Sequence, residues 1–385
     1  MNTKKMRNFI GWGVAALLLA VASMGAARVD ASAMPDAPVE QAPDVTDSDM
    51  PVMLKKRQFV IVPIPISDPA LGTGLVVGGA YYYKQSPEQE KAQPPSVTAV
   101  AGMYTTNDSY AYGASHQSYW AEDKWRVSGL VGYADLKLDL LSPDENALGA
   151  QIDWEIEGTF LEAKLSRRLA GNWYMGGQFR YFDNEQRFTG SIGSIAGADG
   201  SLAFDLAIKT FGAGLMFEFD TRDVLANPYN GNRFEVDALF NDASEGIDST
   251  YQTYQARFRS YNEVAKKVVL AWEIRGCYQA GNVPLWDSCK VHLRGFPITE
   301  YMSRTSASAQ AEGRWRPWKR IGFVAFLGGG LSERNYTDLR EDNLIPSYGV
   351  GIRGMVLQSQ RINMRLDYAR SDGQDAIYLG VTEAF

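Results

Sequence analysis

The chain has 385 residues and a formal net charge of −7, with two cysteines, two histidines, 37 glycines, 20 tyrosines, 17 phenylalanines and nine tryptophans. So mild a negative charge argues against nucleic-acid binding. Two cysteines and two scattered histidines are too few, and unsuitably spaced, to build a zinc site; no metal, cofactor or catalytic residue is expected.

The first 33 residues read as a signal peptide. Lys4, Lys5 and Arg7 precede an apolar run from Phe9 to Ala27. Small residues follow at Gly25-Ala26-Ala27 and Ala31-Ser32-Ala33, predicting cleavage after Ala27 or Ala33. An uncleaved membrane helix is the weaker reading, because the run is short and cleavage sites follow it. Residues 34–58 are acidic and proline-containing and read as a flexible periplasmic leader.

No later stretch holds the ~20 apolar residues of a spanning helix, yet a barrel strand crosses a bilayer with only ~9–11 alternating residues. Residues 59–385 read as one such unit. The alternation predicts sixteen strands: 59–66, 74–84, 97–105, 110–120, 125–138, 152–168, 173–188, 204–220, 233–242, 250–261, 268–279, 305–316, 320–331, 347–357, 361–371 and 375–385. In the eighth, Phe211, Ala213, Leu215 and Phe217 oppose Thr210, Gly212, Glu218 and Asp220. In the twelfth, Ser306, Ser308, Gln310, Glu312 and Arg314 oppose Ala307, Ala309, Ala311 and Trp315. Gly158 interrupts the sixth and suggests a bulge.

Alternation serves a soluble sandwich equally well. The signal peptide, the strand-end aromatics and the terminal Phe385 favour an all-β, 16-stranded antiparallel transmembrane barrel with a polar lumen. Parity agrees. Connections 121–124, 170–172 and 358–360 are short, whereas 140–151, 189–203, 280–304 and 332–346 are long. Short turns belong on the periplasmic side and long loops outside. An even strand number then needs Phe59-Val60-Ile61-Val62-Pro63-Ile64-Pro65-Ile66 as the first strand, whose prolines would make it pair poorly with the last.

Cys277 and Cys289 form an even pair that would bridge in an oxidising compartment, stapling a long loop to the wall; two free thiols are the alternative. His116-Gln117-Ser118 faintly resembles the His-x-Ser arrangement of outer-membrane phospholipases, but Tyr119-Trp120 follows where that family has Asn-Gly, and no partner for a nucleophilic serine is identifiable.

Three further segments carry a family resemblance. Leu293-Arg294-Gly295-Phe296 lies in the long loop 280–304. Asp220-Thr221-Arg222-Asp223 leads to Asn227-Pro228-Tyr229-Asn230-Gly231 after the eighth strand, and Arg365-Leu366-Asp367-Tyr368-Ala369 lies in the fifteenth. In this order they resemble the bacterial surface antigen family, the BamA/TamA or outer-membrane-protein-85 superfamily of barrels. The match covers roughly residues 59–385. The resemblance implies that the sixth extracellular loop folds into the lumen and that the protein moves or inserts polypeptide at the bacterial outer membrane. A passive porin-like pore and a structural surface protein are the alternatives. Two departures stand out. POTRA domains usually precede such barrels, so the chain resembles a short branch without them, and Gly328 stands where the family has an acid on its thirteenth strand.

Under this resemblance Arg294 is a latch. Buried, it needs a carboxylate, and Glu312 is favoured over Asp367, as a bidentate pair. His292 belongs to the same loop motif. Asp220, Arg222, Asp223, Asn227, Pro228 and Gly231 read as a structural periplasmic turn. Phe385 would close an alternating strand with Ile377, Leu379 and Val381 on one face, a series that Glu383 breaks, as a C-terminal signal for the barrel-assembly machinery. Outer-membrane lipid, that machinery and a polypeptide client are the expected partners; oligomeric state is not legible.

Overall fold

A computed structural model describes residues 58–68, 72–141, 151–195, 198–246, 248–295, 301–333, 344–358, 361–371 and 374–385. The proposed signal peptide, nearly all of the leader, and Phe296 lie outside them.

The wall begins with eleven successive strands: β1 (Gln58–Asp68), β2 (Gly72–Tyr82), β3 (Val97–Thr105), β4 (Tyr110–Trp120), β5 (Trp125–Leu141), β6 (Gln151–Ala170), β7 (Trp173–Ile195), β8 (Ala198–Asp220), β9 (Gly231–Ser244), β10 (Ser249–Ala265) and β11 (Val268–Gly281). Two short strands, β12 (Cys289–Lys290) and β13 (Met302–Ser303), pair within the next connection. The wall then resumes with β14 (Thr305–Trp315), β15 (Ile321–Glu333), β16 (Ile345–Leu357), β17 (Ile362–Ser371) and β18 (Gln374–Val381). Sixteen strands form one antiparallel sheet in chain order, β12 and β13 apart, as the alternation predicts. β7 and β8 pair as far as Ile195 and Ala198, so the expected long loop 189–203 is mostly an extended hairpin.

An α-helix, α1 (Pro87–Ala92), interrupts the β2–β3 connection at the short-turn end. It is not legible from strand periodicity. Its signal is local: Ser86 and Gln89 form a reciprocal capping box, with proline in the first turn.

Gly158 does not mark a bulge. Register runs unbroken from Ala134↔Gly158 to Gly158↔Asn184. A Cβ there would lie 2.3 Å from the Asp183 carbonyl, so glycine serves close strand approach instead.

The two faces of the sheet differ as the pattern requires. Leu215, Phe211, Ile274 and Trp315 are exposed on the outer face, while Glu312, Glu273, Asp367 and Thr210 are buried on the inner one. The inner face is not charged throughout, however. Over β1–β6 much of it is apolar, carrying Ile64, Val76, Val97, Met103, Leu130 and Leu138 in one cluster, although Arg126 and Arg168 point inward near the short-turn end. The expectation of a polar lumen holds for the later strands and only in part for the earlier ones. In β1–β6 apolar residues lie on both faces, and the inner set escapes water by packing together.

β1 and β18 are the ends of the strand order. They lie side by side, yet no ladder joins them among the described residues. The backbone polarity of β1 follows from its neighbours. Thr106 N donates to Thr73 O, and Tyr83 N to Ser96 O, so odd residues of β2 bond to β3. Pro63 and Pro65 sit opposite Val77 and Leu75. Their own polar groups must therefore point away from β2, towards the seam. Having no N–H, they leave that stretch of the edge with acceptors only.

Candidate functional site

Alternation places Glu312 and Arg314 on β14, Phe326 on β15, Arg353 on β16 and Asp367 on β17 on the same buried face. Arg294, from the connection between β11 and β14, reaches this face and is 7% exposed. Its Nη1 donates to Asp367 Oδ2 at 3.0 Å, and its Nη2 donates to Glu312 Oε2. The guanidinium also lies 3.4 Å above the Phe326 ring. The bidentate grip on Glu312 alone is thus replaced by a fork across two strands. The geometry explains the choice, because Glu312 Oε1 already accepts from Arg314 Nε at 2.7 Å. Gly328 holds no acid because a Cβ there would meet the Ala309 carbonyl at 2.6 Å; Asp367 and the Phe326 face receive the arginine instead.

The neighbouring loop atoms are held as well. Gly295 N–H donates to the Tyr378 hydroxyl at 2.8 Å, and Ser347 Oγ donates to the Arg294 carbonyl. Gly295 has φ +91°, and a Cβ would lie 3.1 Å from the Ser371 Cβ. Leu293 is buried with Val291 against Tyr301 and Ile345. His292 sits in the same loop, its pKa pushed down to about 3 by burial and by Arg275, Arg257 and Lys290. It is a neutral packed side chain there.

Cys277 and Cys289 are joined by a disulfide, their Cα atoms 5.7 Å apart. Cys289 N also donates to Gln279 Oε1 at 2.9 Å.

Other contacts were not legible in the sequence. Arg180 on β7 forms an ion pair with Asp287 of the loop. Tyr251 on β10 donates to the same carboxylate, and Trp286 packs on the apolar cluster of the early strands. The connection 282–304 therefore touches β7 and β10 through Asp287 and β14, β16, β17 and β18 through residues 294–295. Asp287 has no motif around it, and Arg180 is 107 residues away, so no local signal could pair them.

The expected alternation does not run on to Phe385. β18 ends at Val381, and Thr382 adopts φ +68°. The chain then turns inward. Glu383 accepts from Arg353 Nε and Asn363 Nδ2, both at 2.6 Å. Phe385 is buried beside Tyr261 and Ala271, and its carbonyl accepts from Arg314 Nη2 at 2.9 Å. Arg314 and Arg353 thereby link the chain's last residues to the two carboxylates that hold Arg294.

The turn after β8 satisfies its own groups. Arg222 grips Asp220 with Nε at 3.0 Å and Nη2 at 2.9 Å. Asp223 Oδ1 accepts from the backbone of Val224 and Tyr229, while Arg361 donates to its Oδ2 at 2.7 Å. Asn227 Oδ1 accepts from Arg314 at 3.4 Å. Pro228 fixes one φ in this turn, and Gly231, with φ +109°, carries the chain into β9. On the shorter turn after β4, Asp123 is fully buried and takes Arg126, Arg168 and Tyr174. Those arginines and the burial act oppositely on its carboxyl, and the net effect holds it below the usual range.

His116 bonds Thr98 at 2.8 Å, and Ser118 Oγ accepts from the Trp120 indole. These residues are engaged with their neighbours rather than with one another.

The class of molecule is now defined: a 16-stranded antiparallel barrel of the transmembrane kind. Among solved structures it is similar to BamA from Haemophilus ducreyi lacking POTRA domains 1–3, with a TM-score of 0.52 and 13% identity over 85% of this chain and 70% of that one. CdiB from Acinetobacter baumannii has a TM-score of 0.54 and 10% identity over 84% of this chain and 59% of that one. CdiB from Escherichia coli has a TM-score of 0.52 and 10% identity over 85% and 67%. The chain carries the barrel fold of these outer-membrane-protein-85 structures and spans only about three-fifths of the Acinetobacter protein. No protein-family model matches the sequence, and no curated protein matches it.

Proposed function

We propose that this protein is a bacterial outer-membrane barrel that moves or inserts polypeptide, with the loop 282–304 folded into the lumen as a plug. The observation that carries the reading is the seam. Among the described residues β1 and β18 adjoin without a ladder, and Pro63 and Pro65 leave acceptors without donors at the edge of β1. β18 faces the seam with both kinds of group. Thr382 N bonds Asn363 O, so the even residues of β18 face β17 and the odd ones, Ile377 and Leu379 among them, face β1. An edge with unused donors and acceptors can template an incoming strand. The fork of Arg294 supports the plug, since it ties the loop to two strands by charge-assisted bonds. The short-turn end then faces the periplasm, and the barrel's own chemistry needs no cofactor.

The test uses the refolded chain in liposomes and a urea-denatured outer-membrane barrel as client. Wild type should speed client insertion over empty liposomes. Pro63→Val with Pro65→Val, which restores two seam donors, should slow it. Equal insertion with and without the protein overturns the reading. So does a large steady conductance in planar bilayers, which a plugged lumen cannot give.

A further inference from the structure

We propose that the turn pair 266–267 and 316–320 is a binding site for the headgroup of an anionic phospholipid. The two turns dock on each other because β11 pairs with β14, with Val268 opposite Trp315. Arg316 N donates to the Lys267 carbonyl at 2.9 Å. Lys267 Nζ donates to the Pro317 carbonyl at 3.1 Å. They form one surface at the short-turn end of the barrel.

Its charge is opposite to that of the chain. Residues 263–267 and 316–320 together hold five cations (Lys266, Lys267, Arg316, Lys319 and Arg320) and one acid, Glu263, in a protein of net charge −7. Two of the cations are engaged: Lys267 on Pro317, and Arg316 on the Tyr229 hydroxyl. Lys266, Lys319 and Arg320 are exposed and have no side-chain partner among the described residues. Three unpartnered cations within two abutting turns repel one another unless an anion joins them.

The flanks say which anion. Val264, Trp318 and Ile321 are exposed beside these cations, at 61%, 59% and 46%. Trp318 packs edge-on against Phe323, and Trp315 lies tilted against the same ring. These side chains continue the apolar outer wall formed by Leu270 and Leu327. In a barrel that spans a bilayer, indoles at a strand end mark the interface, where acyl chains give way to headgroups. The cations therefore sit at phosphate depth, with apolar surface on the membrane side for the acyl chains. A lipid with an anionic headgroup satisfies both halves. Lysine and arginine at such a surface favour anionic lipid by about fivefold each.

The test is native mass spectrometry of the refolded full chain released from mixed micelles of phosphatidylglycerol or phosphatidylcholine. Wild type should retain phosphatidylglycerol through mild collisional activation. Lys266→Gln/Lys319→Gln/Arg320→Gln should lower retention at least about tenfold while the barrel stays heat-modifiable on gels. A control, Lys84→Gln/Lys124→Gln/Arg167→Gln, removes three exposed cations elsewhere and should retain the lipid. Equal retention by the triple variant, an equal loss in the control, or equal retention of phosphatidylcholine by wild type overturns the proposal. Displacement of the lipid by millimolar inorganic phosphate would also overturn it, because the acyl flank would then contribute nothing.

Discussion

Replacing Arg294 by alanine should free the loop without unfolding the barrel. The side chain contributes two charge-assisted hydrogen bonds, to Asp367 and Glu312, and stacks on Phe326. Such bonds are worth roughly 1.5–3 kcal/mol each and a desolvated cation–π contact about 2. Two features reduce the sum. Arg294 Nε is buried without a partner, a cost that the substitution removes. The carboxylates are not orphaned either, because Glu312 keeps Arg314 and Asp367 keeps Arg353. The 3–5 kcal/mol penalty of an abandoned buried charge therefore does not apply in full. A net loss of about 2–4 kcal/mol follows, which raises the undocked population of the loop about 30- to 1,000-fold. Residues near Asp287 should stay in place, held by Arg180, Tyr251 and the disulfide. Single-channel recordings should show rare openings in wild type and frequent ones in the variant. Hydrogen exchange should accelerate at the Gly295 amide, whose acceptor is Tyr378. Arg294→Lys should lie between the two, since an ammonium lacks the planar fork that bridges two carboxylates. If conductance and Gly295 exchange match wild type in a variant that remains heat-modifiable, Arg294 does not hold the loop.

Reducing the Cys277–Cys289 bridge removes a closed segment whose loop entropy is about 3 kcal/mol; openings should become more frequent on reduction, and Cys277→Ser/Cys289→Ser should show them without reductant. Gly295→Ala strains a φ of +91° and crowds Ser371, so docking should weaken by about 1–3 kcal/mol, read as faster exchange in peptides covering 289–303. Lys290 is 6% exposed and its pKa is pushed down to about 8 by burial, with Asp287 opposing. Its docked-state pKa is therefore below the free value near 10.4, so docking carries the full cost of neutralising or burying the charge below pH 8 and strengthens as pH rises towards about 10. Opening frequency should fall between pH 7.5 and 9.5 in wild type and stay flat in Lys290→Met; the same slope in both would remove Lys290 from the account.

The strands were legible because a wall between two environments forces a period of two. Ser306, Ser308, Glu312 and Arg314 could face only one way once Ala307, Ala309 and Trp315 faced the other. Pro63 and Pro65 could be read as poor ladder residues, because a missing N–H is a property of the residue itself. That both donors are missing on the seam side depends on the register of β1 with β2, and so on the fold. Arg294 was conspicuous in its motif and Glu312 and Asp367 lay on the right face of their strands. How one guanidinium is shared between them depends on Arg314 already occupying Glu312. Asp287 and Arg180 had no sequence signal, since a pair 107 residues apart meets only when the fold brings the loop against β7. The apolar inner face of β1–β6 was hidden for a related reason: alternation tells which residues share a face, not what that face packs against. Phe385 shows the same limit at the chain's end, where a positive φ at Thr382 ends the alternation and turns the last residues into an inward anchor. The sequence by itself determined the wall, because strand alternation is a local consequence of backbone geometry; tertiary structure alone decided the loop's moorings and the open seam, because both arise where strands distant in the chain come together.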